Sequence, residues 1–169
     1  MGGNLPSRVK KEVSRAAGST FWRKYLVTSS NTTTAQKRLS GAVSGGDLMV
    51  LKVVFETDAT GLAGMTNFEI GVSGETYGLD KPVVEAASNL GASAHRSAPT
   101  GSIAADTTND NGITVTAAVP FLLEGGDSLQ YSGSSSAGTG AGVCAVLVQF
   151  QRIHDGADID GNSPVVTVA

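Results

Sequence analysis

Asp158, Asp160 and Asn162 put three oxygen-bearing side chains at alternate positions of the acidic stretch 155–162, the spacing with which calcium loops begin. An EF-hand loop also needs glycine directly after the third ligand and a glutamate at the twelfth position. Here Gly161 precedes Asn162, Ser163 follows it, and no glutamate comes after. The stretch reads better as a solvated acidic turn. His154 and Asp155 are adjacent, which is poor spacing for a transition-metal site, so neither a metal nor a cofactor is expected. Nucleophilic catalysis has little to work with: the two histidines are His95, in a polar stretch, and His154, and no G-x-S-x-G elbow is present. The glycine-rich run Gly133–Gly142 lacks the Lys-Ser/Thr of a phosphate loop and joins strand to strand, leaving no helix N-terminus to hold an anion. The chain is therefore not expected to be an enzyme.

Binding chemistry is better represented. Arg8, Lys10, Lys11 and Arg15 are followed by Phe21, Trp22, Arg23, Lys24 and Tyr25, so that cations and aromatics interleave. Nucleic acid uses such groups for phosphate contact and base stacking. An acidic protein surface uses them equally well, with the aromatics as buried anchors. The charge balance favours the protein partner. Residues 1–40 carry eight basic residues and one acid, whereas the remainder carries four basic and fourteen acidic; such a body would repel a duplex. A competing reading makes Phe21–Val27 simply the first core strand.

The elements that must position these groups are strands. Val143–Ile153 alternates cleanly, with Cys144, Val146, Val148 and Phe150 on one face and Ala145, Leu147, Gln149 and Gln151 on the other. Phe121–Leu123 and Leu129–Tyr131 are two shorter strands separated by a Gly125-Gly126-Asp127 turn. Asp47 opens DLMVLKVVFET, apolar on both faces: strict alternation puts Met49, Leu51, Val53 and Phe55 on one side and Leu48, Val50, Lys52 and Val54 on the other. Such a strand is central in a sheet sandwich or covered by another subunit or by the arm. Asn67–Val72 and Ile113–Val119 are further strands. Asp80–Leu90 reads as a helical turn, capped by Asp80 and stopped by Gly91, in competition with an irregular strand through Val83–Val84. Gly91–Gly112 reads as a long surface loop. Gly45-Gly46-Asp47 and Gly125-Gly126-Asp127 echo one another, each introducing a strand. Ahead of all this, Ser7–Ala17 reads as a short helix ended by Gly18.

Composition agrees with this reading. Glycine at 22 of 169 residues and charged residues at only 16% favour an all-β fold over a helical bundle. The single cysteine, Cys144, rules out an intrachain disulfide and falls on the apolar face of its strand, as a small buried hydrophobe. No apolar run approaches the ~20 residues a membrane helix needs, and the charged N-terminal stretch does not read as a signal peptide. The expectation is a protein made in the cytoplasm that does not contact membrane, with an N-terminal arm, residues 1–40, and a β body, residues 41–169.

The basic arm Met1–Ser40 and the block LEGGDSLQYSGSSSAGTGAGVCAVLVQFQRI, in a small acidic β protein with Gly/Ser/Thr-rich loops, give a layout that resembles the capsid decoration, or cement, proteins of tailed bacteriophages. The resemblance implies an antiparallel β-sandwich or jelly roll with an extended basic N-terminal arm containing a short helix. It also implies a homotrimer on the virion surface whose arms clamp neighbouring subunits of the major capsid protein. A carbohydrate- or receptor-binding β-sandwich of a phage tail or fibre is the alternative. That reading would place function in Gly91–Gly112 and Gly133–Gly142, which contain no tryptophan or tyrosine for stacking on sugars.

Overall fold

A computed structural model of the chain describes residues 15–28, 37–62, 68–72, 84–86, 95–98, 104–105, 119–133 and 142–160. Among these the regular structure is all strand: β1 Thr20–Thr28, β2 Lys37–Arg38, β3 Val43–Ser44, β4 Leu48–Thr57, β5 Phe68–Val72, β6 Val84–Ala86, β7 His95–Ala98, β8 Ala104–Ala105, β9 Phe121–Leu123, β10 Leu129–Gly133, β11 Val143–Arg152 and β12 Asp158–Ile159. The ladders between them are antiparallel.

β11 lies inside the first sheet because both of its edges find long partners. β1 runs along one edge over its whole length, from Thr20 opposite Gln151 to Thr28 opposite Val143. β4 runs along the other. The far edge of β4 is shared by β9, opposite Leu48–Val50, and β7, opposite Val53–Glu56. A second sheet has the order β2-β10-β5-β6-β8, and β12 pairs with β3.

The two-residue period of β11 holds throughout: Cys144, Val146, Val148, Phe150 and Arg152 are buried and the residues between them are half-exposed. The first four of these side chains join Tyr25 and Val27 of β1, Leu48, Val50, Val53 and Phe55 of β4, and Ile70, Val72, Leu129 and Tyr131 of the second sheet in one hydrophobic cluster. Fully burying a valine or phenylalanine side chain stabilises by about 1.5–3 kcal/mol, so this cluster is the main source of cohesion between the sheets.

β4 departs from strict alternation. The register runs Gln149 opposite Lys52 and then Phe150 opposite Val50, so Leu51 is an extra residue with no partner of its own. That is a β-bulge, which sets two residues against one and resets the phase. Leu48 and Val50 before it and Val53 and Phe55 after it are all buried. A continuous alternation would have split these four between two faces.

Two further expectations need correction. Within the Asp80–Leu90 stretch the described residues, 84–86, form strand β6, pairing with β5 and β8, so the competing strand reading holds there in place of the helical turn. Gly91–Gly112 contains β7 and β8, held by backbone pairing to β4 and β6. Their sequences, HRSA and AA, carry no hydrophobic alternation, so no side-chain pattern announced strands that pair through backbone ladders. Strand structure also begins ahead of residue 41, since β1 and β2 precede it. The expected helix Ser7–Ala17 lies outside the described residues up to position 14; Arg15–Gly18 form a turn, with Gly18 at φ 81°.

Candidate functional site

Alternation along β1 decides what each of the interleaved cations and aromatics can do. Phe21, Arg23, Tyr25 and Val27 face inward, and Trp22, Lys24 and Leu26 face outward. Tyr25 is 0% exposed, and burial is the main reason its hydroxyl is held well above the ordinary phenol pKa. It belongs to the core, as the competing reading of Phe21–Val27 as the first core strand has it, and not with Trp22 on the outer face. Phe21 is also used internally. Its ring stacks on Phe150 at 5.4 Å between centroids, and the guanidinium groups of Arg23 and Arg152 lie over it at 4.7 and 4.0 Å. Trp22 is the aromatic left outside, 45% exposed. Residues 20–28 are hydrogen-bonded into the first sheet, so a boundary at residue 40 would cut β1 away from β11.

Arg15 and Arg23 meet a carboxylate that sequence spacing offered as a metal ligand. Asp158 Oδ1 accepts from Arg23 at 2.7 Å and lies 3.9 Å from Arg152, while Oδ2 accepts from Arg15 at 3.3 Å. The backbone N–H of Ile159 also donates to Oδ1, at 2.9 Å. Three guanidinium groups thus converge on one carboxylate, and Asp158 serves as an ion-pair hub. Arg152 is the most buried of the three, its side chain 5% exposed. Desolvation pulls its pKa below the usual arginine value and the Asp158 charge opposes that pull. The hub ties the N-terminal turn to the acidic stretch, reinforced by the Ala17 N–H on Asp155 Oδ1 at 2.7 Å and the Gly156 N–H on the Arg15 carbonyl at 2.8 Å.

The two Gly-Gly-Asp turns that echo in sequence touch in space. Asp47 Oδ1 accepts the Gly125 N–H at 2.8 Å. Val43 donates to the Asp127 carbonyl at 2.7 Å and its own carbonyl accepts from Gly126 at 2.9 Å. Gly46, at φ 126°, packs against His154, whose Nδ1 accepts the Asp47 N–H at 3.0 Å. His154 is thereby a structural acceptor at this corner.

What remains outward is the outer face of the first sheet. In register across it lie Trp22, Gln149 and Lys52, and in the next row Lys24, Leu147 and Val54, the last of which is buried. Leu26 and Ala145 continue the face on one side; Met49, Leu51 and the exposed Leu122 continue it on the other. Lys52 was not among the sequence candidates. The bulge at Leu51 brings it into the Trp22 row, and a bulge leaves no mark in residue types. Arg8, Lys10, Lys11 and Asn162 lie outside the described residues, as do positions 134–141 of the glycine-rich run. Among the described residues no three of His, Cys, Asp and Glu are grouped to hold a metal, and no helix is long and apolar enough to cross a membrane. Cys144 is buried, and burial raises its thiol to about 12. No protein-family model matches the chain, and no curated protein matches it.

Proposed function

We propose that this chain is a structural virion protein of a tailed phage, a capsid decoration protein that binds the outside of the shell and bridges neighbouring subunits of the major capsid protein. Its body is read as a β-sandwich of jelly-roll type, supported by two sheets whose buried residues share one cluster. The observation that carries the reading is the division of labour on β1. One face is locked to the core and to Asp158, and the other presents Trp22 and Lys24 to solvent. A rigid platform of this kind, preceded by the basic residues Arg8, Lys10 and Lys11, suits docking on a large acidic protein surface. Trimeric assembly on the lattice and location on the virion surface belong to the same proposal. Binding assembled but not dissociated shell stabilises the assembled state by linkage, about 2.7 kcal/mol per site at a hundredfold excess over Kd.

The test is co-sedimentation with undecorated shells of the encoding phage, alongside shell thermal stability. The informative truncation removes residues 1–14, because a cut at 40 would take β1 and β2 with it. Full-length protein should co-sediment and raise the shell's melting temperature, and the truncation should weaken both while the body stays folded. Absence of binding by the full-length chain would overturn the proposal.

A further inference from the structure

We infer that the outer face of the first sheet, from Trp22 across β11 to Lys52, receives an amphipathic helix of a partner protein that carries two carboxylates on its docking side. The inference rests on the partner-binding reading above and specifies the partner's chemistry. Lys24 and Lys52 both project from this face, and among the described residues neither is ion-paired. Other cations of this region, Arg15, Arg23 and Arg152, all engage Asp158. Between the two lysines the surface is apolar or neutral, with Leu147 and Gln149 in the middle and Trp22 and Leu51 at the ends. Two unpaired cations separated by apolar surface call for a partner with two acids separated by apolar side chains.

Spacing selects the partner's shape. Lys24 and Lys52 are two strands apart across the sheet and one row apart along it, through Leu147 and Gln149. With strands about 4.8 Å apart and about 3.4 Å per residue, their Cα atoms are separated by about 12 Å on the diagonal. In a helix that distance corresponds to about seven or eight residues, the interval at which side chains return to the same face. The positions between, three and four residues on, would set apolar side chains on Leu147 and Trp22. A helix also satisfies its own backbone when laid on an apolar face, whereas an extended segment would not. The chain's own N-terminal stretch is a poor occupant, because Lys10, Lys11 and Arg15 would meet Lys24 and Lys52 with like charge.

Trp22 is the single tryptophan, so its emission reports on this face alone. The probe is a synthetic helical peptide of about five turns, with two glutamates seven residues apart flanking a pair of leucines on one side and alanine and glutamine elsewhere. Titration into the full chain should shift Trp22 emission to the blue. The same peptide with lysines for the glutamates should bind at least about tenfold more weakly. The Lys24→Glu/Lys52→Glu double variant should reverse that preference and take the lysine peptide. Both substitutions are on the outer face, and circular dichroism will report whether the fold is retained. No emission change at millimolar peptide, or binding indifferent to the charge reversal, would overturn the inference. Shell binding that persists in the double variant would remove this inference and leave the decoration reading standing. Peptide binding with charge reversal but no shell binding would do the opposite.

Discussion

Removing the Asp158 carboxylate should cost more than removing any one of the arginines that share it. Arg15 is 58% exposed, and such a pair contributes at most about 0.5 kcal/mol. Arg23 is 30% exposed and donates to Oδ1 at 2.7 Å, a charge-assisted hydrogen bond of about 1–1.5 kcal/mol. Arg152, at 5% exposure, would be left as a buried cation without its counter-charge, adding about 1–2 kcal/mol, less than a fully enclosed pair because Asp158 itself is partly solvated. Asp158→Ala should therefore lose about 3 kcal/mol, or about 6–12 °C in Tm for a chain of this size. Asp158→Asn keeps an acceptor for Arg23 and should lose about half as much. Arg152→Met should cost no more than about 1 kcal/mol, since an apolar replacement removes the buried charge along with the pair. The assay is urea unfolding followed by circular dichroism, in low salt and in half-molar salt. Added salt should erase the Arg15 share and leave most of the remainder. A loss below about 0.5 kcal/mol for Asp158→Ala, or a larger loss for Arg152→Met, would refute the assignment of Asp158 as the hub.

Other regions make separate predictions. Cys144 should resist thiol reagents at pH 8 in the folded protein and react once the chain is unfolded in denaturant, because burial raises its pKa to about 12; rapid labelling of folded protein would contradict its place on the core face of β11. Asp58 accepts the backbone N–H groups of Gly61, Thr60 and Val143 at 2.8, 2.9 and 3.0 Å, which holds its carboxyl below the ordinary 3.8. Its folded pKa is depressed, so its contribution is complete above about pH 4 and is lost as the pH falls through the lowered value. Asp58→Asn should melt below wild type at pH 7, with the gap closing in acid; a gap independent of pH would refute the account. Deleting Leu51 should restore continuous alternation in β4 and change stability by no more than about 1 kcal/mol, whereas deleting Val54 should displace the core residues on one side of the gap and cost at least about 3 kcal/mol. Equal losses in denaturant titrations would show that Leu51 is not the extra residue.

How much of this was legible in the sequence varied with the kind of force that holds each element. β11 could be read residue by residue, because a half-buried strand writes its geometry as alternating hydrophobicity. β4 could be found but not phased: the bulge lies in the backbone register against β11. β7 and β8 were invisible because they join through main-chain hydrogen bonds, which every sequence can offer. In the candidate site, the interleaving of cations and aromatics on Phe21–Tyr25 was visible, but read as one group. Period two divides it, sending Tyr25 inward, Trp22 outward and Phe21 under two guanidinium groups. That Asp158 would neutralise arginines rather than wait for a cation depended on the pairing of β1 with β11 and of β12 with β3. Such contacts span well over a hundred residues, and no local pattern encodes them. The echo of the two Gly-Gly-Asp turns was a usable clue to proximity, since the turns dock on each other through Asp47 and Val43.

The central position of β11 also sets a timetable for synthesis. Both of its neighbours, β1 and β4, are made early, and their shared partner comes only with residues 143–152. At the usual elongation rate of about 5–20 residues per second, β1 leaves the ribosome roughly 6–25 s before the strand that will cover it. Throughout that interval Tyr25, Val27 and the apolar length of β4 have no β11 to pack beside. Completion of the first sheet is thus a late event for each nascent chain, and slow elongation lengthens the time in which neighbouring nascent chains can pair strand to strand. Expression at reduced temperature, often a remedy for insoluble protein, slows elongation as well as association, so its benefit for this chain depends on which of the two slows more.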